Sequence, residues 1–209
     1  MNESDFLNPE NWYGSHYELA IEYPKGNDTE LLEAINSVWH QPELTGPWRE
    51  KEGWGKDAQP VDDLETEDSN HCYGLIELEK SMVIGCLSLT VRESGNDGSD
   101  WLCLCIPTGM LELVFEVEYP IVRNRNPWLD IVDRFFLRCA IVVNNVSSFD
   151  LAIVGEEVSG YVNRKEVTPE IVKRGGYVLS KRLVDTLGMD LMSVALSDQL
   201  RWFPFKDPA

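Results

Sequence analysis

One stretch carries the clearest pattern in the chain: residues 126–142 read NPWLDIVDRFFLRCAIV. It opens with Asn126 and Pro127, two residue types favoured at the N-cap and at the first position of a helix. Apolar residues then recur at helical spacing as far as Val142, and charged residues occupy the other faces. The stretch therefore predicts an amphipathic helix that begins after Asn126 and packs its apolar side on a sheet.

A strand and then a helix are predicted near the N-terminus. In residues 17–23, apolar side chains alternate with Glu18 and Glu22, which is typical of a half-buried strand whose glutamates face water. Asn27 and Glu30 then stand at the spacing of a capping box, ahead of a second apolar stripe. We therefore expect a second amphipathic helix directly after this strand.

The middle of the chain is rich in short apolar runs separated by turn-forming residues. Predicted strands cover residues 73–78, 82–91, 101–106, 111–119 and 149–154. The first two are close enough for a hairpin, and residues 94–100 predict a tight reversal. In residues 111–119 the alternation places Glu112, Glu116 and Glu118 on one side. Short helices are predicted after Thr168 and over residues 180–187.

The order of these elements indicates the fold class. A strand, a helix, a series of strands, a helix and a further strand predict a single α+β domain over residues 1–209. We expect a largely antiparallel sheet with the two main helices packed on one face. Residues 41–70 show neither helical nor strand periodicity and contain several prolines and glycines, so they are interpreted as a long acidic loop.

Length and charge limit what the protein can bind. The chain has 209 residues, 43% of them hydrophobic, with 36 acidic and 18 basic side chains and a formal net charge of −18. A nucleic acid binds through lysines and arginines that displace its counterions, so this excess of carboxylates disfavours nucleic-acid binding. Attraction to an anionic membrane surface is disfavoured for the same reason.

The sequence also predicts a cytoplasmic protein. No apolar run approaches the roughly 20 residues of a membrane-spanning helix, and the N-terminus is acidic where a secretion signal is basic. The odd number of cysteines and their position in apolar runs favour reduced thiols in the core over a disulfide framework. The cysteines are Cys72, Cys86, Cys103, Cys105 and Cys139.

Motifs for catalysis or cofactor binding are weak or missing in the sequence. Cys103 and Cys105 would share one strand face, but they lack the paired-cysteine turn of a zinc site. The oxygen-rich segments 62–68 and 96–100 lack the ligand order of a calcium loop. Neither a glycine-rich phosphate loop nor a nucleophile elbow occurs. We therefore predict no metal, no cofactor and no catalytic residue.

The acidity is concentrated in the first third of the chain, where residues 1–70 hold 17 acidic and 4 basic side chains. Trp48 and Trp54 lie among these acids, and tryptophan is enriched at the centres of protein interfaces. Packing of both rings back onto the domain is the alternative. The predicted protein-binding residues are Trp48, Trp54, Asp62, Asp63, Glu65, Glu67 and Asp68.

These features favour a non-enzymatic protein that recognises a basic protein partner. Bacterial immunity proteins and DNA-mimic proteins are similar in charge and size, and the resemblance extends no further. One alternative is a small hydrolase or transferase with an acidic cleft near residues 156–160, where Glu156 and Glu157 follow a buried strand. Another alternative is a homo-oligomer held together by an exposed apolar patch.

Overall fold

The computed structural model describes residues 1–62, 64, 71–94, 98–189 and 193–205. The strands are β1 (His16–Pro24), β2 (Leu44–Trp48), β3 (Cys72–Leu78), β4 (Met82–Arg92), β5 (Ser99–Pro107), β6 (Leu151–Glu156), β7 (Tyr177–Ser180), β8 (Val194–Ala195) and β9 (Leu200–Phe203). The helices are α1 (Glu3–Leu7), α2 (Asp28–Trp39), α3 (Thr108–Glu112), α4 (Leu129–Val146), α5 (Pro169–Val172) and α6 (Lys181–Leu187).

Across the described residues the strands form one sheet, in the order β2-β3-β4-β5-β1-β6-β7-β9-β8. Every paired strand in it is antiparallel to its neighbour. Strand β1 lies at the centre, between β5 and β6. The predicted α+β class and antiparallel sheet are confirmed, as is the hairpin of β3 and β4.

The two long helices cover the same face of the sheet. Apolar residues of α2 and α4 share one buried core with Tyr17, Leu19, Ile21 and Tyr23 of β1. These four residues alternate along β1, so they point to one side of the strand. Since α2 and α4 also contact each other, the amphipathic stripes read from the sequence are buried as expected.

The opposite face of the sheet is also covered, which the sequence pattern does not predict. Residues of the 157–168 segment, α5 and α6 pack there in a second core around Ala20 of β1. Glu18 and Glu22 point to this side and are only 3% and 5% exposed. The prediction of a half-buried strand with solvent-facing glutamates is therefore wrong, because a segment remote in sequence covers them.

Helix α4 begins later than its sequence suggests. Asn126 is fully buried and makes no helix cap. Its side-chain amide instead donates to the carbonyl oxygens of Glu118 and Val122, and its side-chain oxygen accepts from the backbone N–H of Glu118. Asn126 thus closes the preceding loop, and the helix starts at Leu129. The capping box predicted at α2 is likewise not formed, because Asn27 makes no capping bond.

The strand predicted over residues 111–119 is wrong. The chain leaves the sheet after β5, forms α3 and continues as turns. Phe115 stacks on Trp128 with 4.8 Å between ring centroids, and the Trp128 indole N–H donates to the Glu116 carbonyl oxygen at 3.1 Å. The apolar residues of this segment therefore pack against the start of α4, while β1 and β4 already occupy both edges of β5.

The acidic loop predicted over residues 41–70 contains an additional strand, β2, and a short 3₁₀ helix at Lys51–Gly53. The sequence did not predict this strand, because Gly46 and Pro47 both disfavour a strand interior. They are tolerated here because β2 lies at the edge of the sheet, with an irregular register between Thr45 and Trp48. The sequence pattern also missed the short strands β7, β8 and β9.

The carboxyl-terminal helices match their sequence signals. Thr168 caps α5 and Ser180 caps α6, each by accepting a backbone N–H, and Gly188 follows α6 in a left-handed conformation. The reversal predicted at 94–100 lies partly outside the described residues, and β5 begins at Ser99. Among the described residues, no helix combines the length and apolar character needed to cross a membrane.

Candidate binding surface

Trp48 lies inside an aromatic cluster and not on the surface. Its side chain is 1% exposed, and its ring centroid lies 5.7 Å from that of Phe6 and 6.3 Å from that of Trp54. The indole N–H donates to the Lys56 carbonyl oxygen at 3.2 Å. Because this ring is enclosed, Trp48 offers no surface to a partner and is removed from the candidate binding residues. Trp54 is half-buried and stays among the candidate residues.

The loop after Trp48 forms an open acidic depression of about 820 Å³. Its charged lining consists of four carboxylates, from Glu50, Glu52, Asp57 and Asp62, and two cations, from Arg49 and Lys56. We call these four carboxylates the loop site. On its rim the Arg49 guanidinium lies 3.9 Å from the Asp62 carboxylate, and the Asp62 side chain is 81% exposed. Among the predicted residues, Asp63, Glu65, Glu67 and Asp68 lie outside the described residues.

Residues before β1 connect the loop site to a second surface. Trp12 packs edge-on against Phe6 and Tyr73, with centroid distances of 5.1 Å. The Lys51 ammonium lies 4.8 Å from the Trp12 ring centroid, and burial lowers the pKa of Lys51. This lysine therefore directs its charge onto aromatic rings beside the loop site. The next residue in the chain, Tyr13, reaches helix α3.

The second surface is a carboxylate held by two tyrosines. The Tyr13 hydroxyl donates to Oε2 of Glu112, and the Tyr119 hydroxyl donates to Oε1 at 2.8 Å. The two tyrosine side chains are 50% and 53% exposed. The hydrogen bond to Glu112 raises the pKa of Tyr13, and burial together with Glu112 raises that of Tyr119 to about 12. Both hydroxyls therefore remain protonated donors. We call Tyr13, Glu112 and Tyr119 the tyrosine–glutamate site.

A glycine in α3 makes this arrangement possible. A Cβ atom added at Gly109 would lie 2.6 Å from a ring carbon of Tyr13 and 2.5 Å from the carbonyl oxygen of Asn11. No real side chain tolerates such distances, so only glycine lets the residues before β1 approach the helix this closely. The backbone N–H of Gly109 donates to the Tyr13 carbonyl oxygen at 3.1 Å, which fixes the approach.

Glu156 and Glu157 are exposed and hold the beginning of β1. Glu156 accepts from the Ser15 hydroxyl at 2.5 Å, and Glu157 accepts from the His16 backbone N–H at 2.9 Å. These bonds favour a structural role for both carboxylates over the acid and base roles of a catalytic cleft. Glu156 nevertheless contributes negative charge beside Tyr119, whose pKa it helps to raise.

The cysteines belong to the core. All five are buried and free of disulfides, and burial raises the pKa of Cys86, Cys105 and Cys139. Such thiols are poor nucleophiles and poor metal ligands, because both roles require the thiolate. Within the part of the chain that the structure describes, no three His, Cys, Asp or Glu side chains are grouped as a metal site.

Sequence reasoning missed the tyrosine–glutamate site. It assigned Glu112 to a strand and singled out neither tyrosine. The available signal was a Trp-Tyr-Gly run at residues 12–14 and a Tyr-Pro pair at 119–120. Neither signal brings Tyr13 and Tyr119 together, since 105 residues separate them in sequence. No protein family, curated protein or solved structure matches this chain.

Proposed function

We propose that this protein is a non-enzymatic binding protein, located in the cytoplasm, that recognises a basic segment of a partner protein. The observation that carries the proposal is the tyrosine–glutamate site beside the loop site. Two half-exposed aromatic rings around a fixed carboxylate suit the side chain of an arginine or a lysine, because aromatic faces and carboxylates both attract cations.

The fixed position of Glu112 supports this proposal. Each of its oxygens already accepts one tyrosine hydroxyl, and a carboxylate has about four acceptor positions. Positions therefore remain for the N–H groups of a guanidinium. A carboxylate that is held in place before binding loses little conformational freedom on complex formation.

Charge supports the same partner class. None of the ion pairs found among the described residues involves Glu50, Glu52, Asp57 or Glu112. Arginines beyond residue 90 do pair with early carboxylates elsewhere, for example Arg92 with Asp28 at 2.8 Å and Arg138 with Glu43 at 3.5 Å. Carboxylates outside these ion pairs thus outnumber the cations at the loop and tyrosine–glutamate sites, where they would speed encounter with a cationic surface.

The proposal is tested with a fluorescent arginine-rich peptide and the full chain, by measuring anisotropy at increasing salt. We expect saturable binding at low ionic strength that weakens progressively above about 0.15 M salt, where charges are screened beyond roughly 8 Å. Affinity that does not depend on salt, or no binding at low salt, would contradict the proposal.

Variants locate the binding surface. We expect Glu112→Gln and Tyr119→Ala each to weaken peptide binding about tenfold, because each removes an interaction worth roughly 1 kcal/mol or more with a bound cation. Glu170→Gln is the matched control, since it removes one exposed carboxylate from α5, outside both sites. Equal weakening by Glu112→Gln and Glu170→Gln would show that only net charge matters, and it would contradict the assigned surface.

A further inference from the structure

Positive charge is concentrated in one short part of this acidic chain. Residues 164–182 contain six of the 18 basic side chains and only two carboxylates. Three of these six, Arg164, Lys181 and Arg182, line a cavity of about 440 Å³. The basic part of the sequence and the cavity of the folded chain therefore coincide at these three residues.

The cavity is built where several elements of the fold end or begin. Glu22 near the end of β1, Asn144 near the end of α4 and Asp150 before β6 contribute to its lining. Gln199, before β9, lies against Asn144, whose side-chain amide donates to the Gln199 side-chain oxygen at 3.1 Å. These polar groups converge from segments that are far apart in sequence, as is common in small-molecule sites.

Asp150 organises the cations of the cavity. Its Oδ2 accepts a hydrogen bond from Arg182 at 2.5 Å and lies 3.6 Å from Nη1 of Arg164, while its Oδ1 accepts the Ser180 hydroxyl at 2.6 Å. Burial opposes ionisation, but the bonds from Ser180 and Arg182 lower the pKa of Asp150 below its ordinary value. One partly buried carboxylate therefore holds two guanidinium groups side by side.

Most donors of the two arginines remain for a ligand. A guanidinium has five N–H groups in a fixed plane, and Asp150 uses only a minority of them. Lys181 adds a further cation at the same cavity. Planar arginine donors match the paired oxygens of a carboxylate or a phosphate.

We propose that this cavity binds a small molecule through a single oxyanion group, a carboxylate or a phosphate, held by Arg164 and Arg182. The remainder of the ligand is polar or cationic, because the carboxylates of Glu22, Glu30 and Asp198 also line the cavity and would repel further negative charge. The cavity volume of about 440 Å³ lies within the range that is usual for small-molecule sites. The proposal does not depend on the binding of a basic partner at the tyrosine–glutamate site.

The experiment follows backbone amide shifts of the isotopically labelled full chain by NMR. The probes are inorganic phosphate, acetate and glycine, each compared with sodium chloride at the same ionic strength. We expect saturable shifts at Asp150, Arg164 and Arg182. Saturation by phosphate alone assigns a phosphate ligand, and saturation by acetate or glycine assigns a carboxylate. Failure of all three probes to produce saturable shifts at these residues would overturn the proposal.

Two variants separate a built site from general charge attraction. Arg182→Gln should weaken binding of the saturating probe about tenfold, and its side chain is 79% exposed, so the fold should tolerate the change. Lys173→Gln removes the same charge from the same basic segment, but Lys173 does not line the cavity, and affinity should change less than about twofold. Equal weakening by both variants would overturn the proposal, as would shifts that follow protein concentration and not the added anion.

Discussion

The two faces of strand β1 are buried by different kinds of structure. Odd-numbered residues from Tyr17 to Tyr23 lie beneath the apolar sides of α2 and α4. On the other face, Glu18 and Glu22 lie beneath the 157–168 segment, which has no regular secondary structure of its own. The helix-covered face packs regular elements on the strand, and the Tyr17 hydroxyl also donates to Asp133 of α4 at 2.7 Å. The other face combines apolar contact with hydrogen bonds to the backbone of an irregular segment.

The hydrogen bonds explain why glutamate is suited to the second face. Glu18 accepts the Ser159 backbone N–H at 2.7 Å, and Glu22 accepts the Arg164 backbone N–H at 3.0 Å. A segment without a helix or strand leaves backbone N–H groups that must find acceptors when they are buried. Carboxylates on the sheet supply those acceptors. A polar side chain that alternates with apolar ones thus does not imply a solvated face.

The largest expected effect tests the helix-covered face. Phe136 of α4 is fully buried and stacks on Tyr17 with 6.2 Å between ring centroids. Phe136→Ala should lower the free energy of unfolding by about 3–5 kcal/mol, because it removes apolar contact and leaves a cavity. Urea unfolding measures this change, with Val146→Ala as a control at an exposed position of the same helix. A decrease in the free energy of unfolding of less than about 1 kcal/mol would show that packing on this face contributes little to stability.

The next effect tests the segment-covered face. Glu18→Ala should lower the free energy of unfolding by about 1–3 kcal/mol, since the partly buried Ser159 N–H loses its acceptor. Glu18→Gln keeps a carbonyl oxygen at the same place and should cost less. Hydrogen exchange should accelerate within residues 158–168 in Glu18→Ala and stay unchanged in α4. Equal acceleration in α4 would contradict separate support of the two faces.

A smaller effect concerns pH. Burial raises the pKa of Glu22 in the folded protein, with nearby Glu93 adding to the rise and the Ser99 hydroxyl and Arg164 opposing it. The folded state therefore holds the Glu22 proton more tightly than the unfolded state does. The contribution of Glu22 to stability is full below its unfolded pKa and is lost as the pH rises through its folded pKa.

Comparison with Glu22→Gln isolates this contribution. Across a series of urea unfolding curves from about pH 4 upward, the wild-type protein should lose stability relative to the variant. A carboxylate whose ionised form is stabilised in the folded protein would have a lowered pKa, and the wild-type protein would then gain stability relative to the variant as the pH rises. The direction of the change with pH therefore shows whether the pKa of Glu22 is raised. A stability difference that stays constant across the series would contradict a raised pKa.

The smallest expected effect concerns a glutamate outside both faces. Glu112 is exposed, so Glu112→Gln should leave the urea midpoint unchanged within error. Glu18→Gln, which makes the same chemical change beneath the 157–168 segment, should shift the midpoint measurably. A similar shift for both variants would show that the burial of Glu18 does not distinguish it from an exposed glutamate.

Local sequence signals predicted the elements that depend on local physics. The apolar stripes of α2 and α4, the hairpin of β3 and β4, and the short helices α5 and α6 all follow from residue spacing within one element. These features are readable because helical and strand periodicities differ, and because capping side chains bond to backbone groups only a few residues away. The antiparallel α+β class followed from the order of such elements.

The errors share a different cause. Asn126 resembles a helix cap, but its amide is used by Glu118 and Val122 of the loop. Residues 111–119 alternate like a strand, but they cannot pair with the preceding strand β5, because β4 and β1 occupy both of its edges. In both cases the same residue spacing fits several backbone arrangements. The arrangement that forms depends on contacts with other segments, which the spacing does not specify.

Composition establishes the acidic character of the molecule, and the order of residues establishes the amphipathic elements that build its sheet and helices, because periodicity is a local property of a chain. The positions of the binding surfaces come from contacts between distant segments. Tyr13 meets Tyr119 at Glu112, and Asp150 meets Arg164 and Arg182, only when the chain is folded. Burial of Trp48 and Glu18 is likewise set by what packs over them, which no spacing within their own segments specifies.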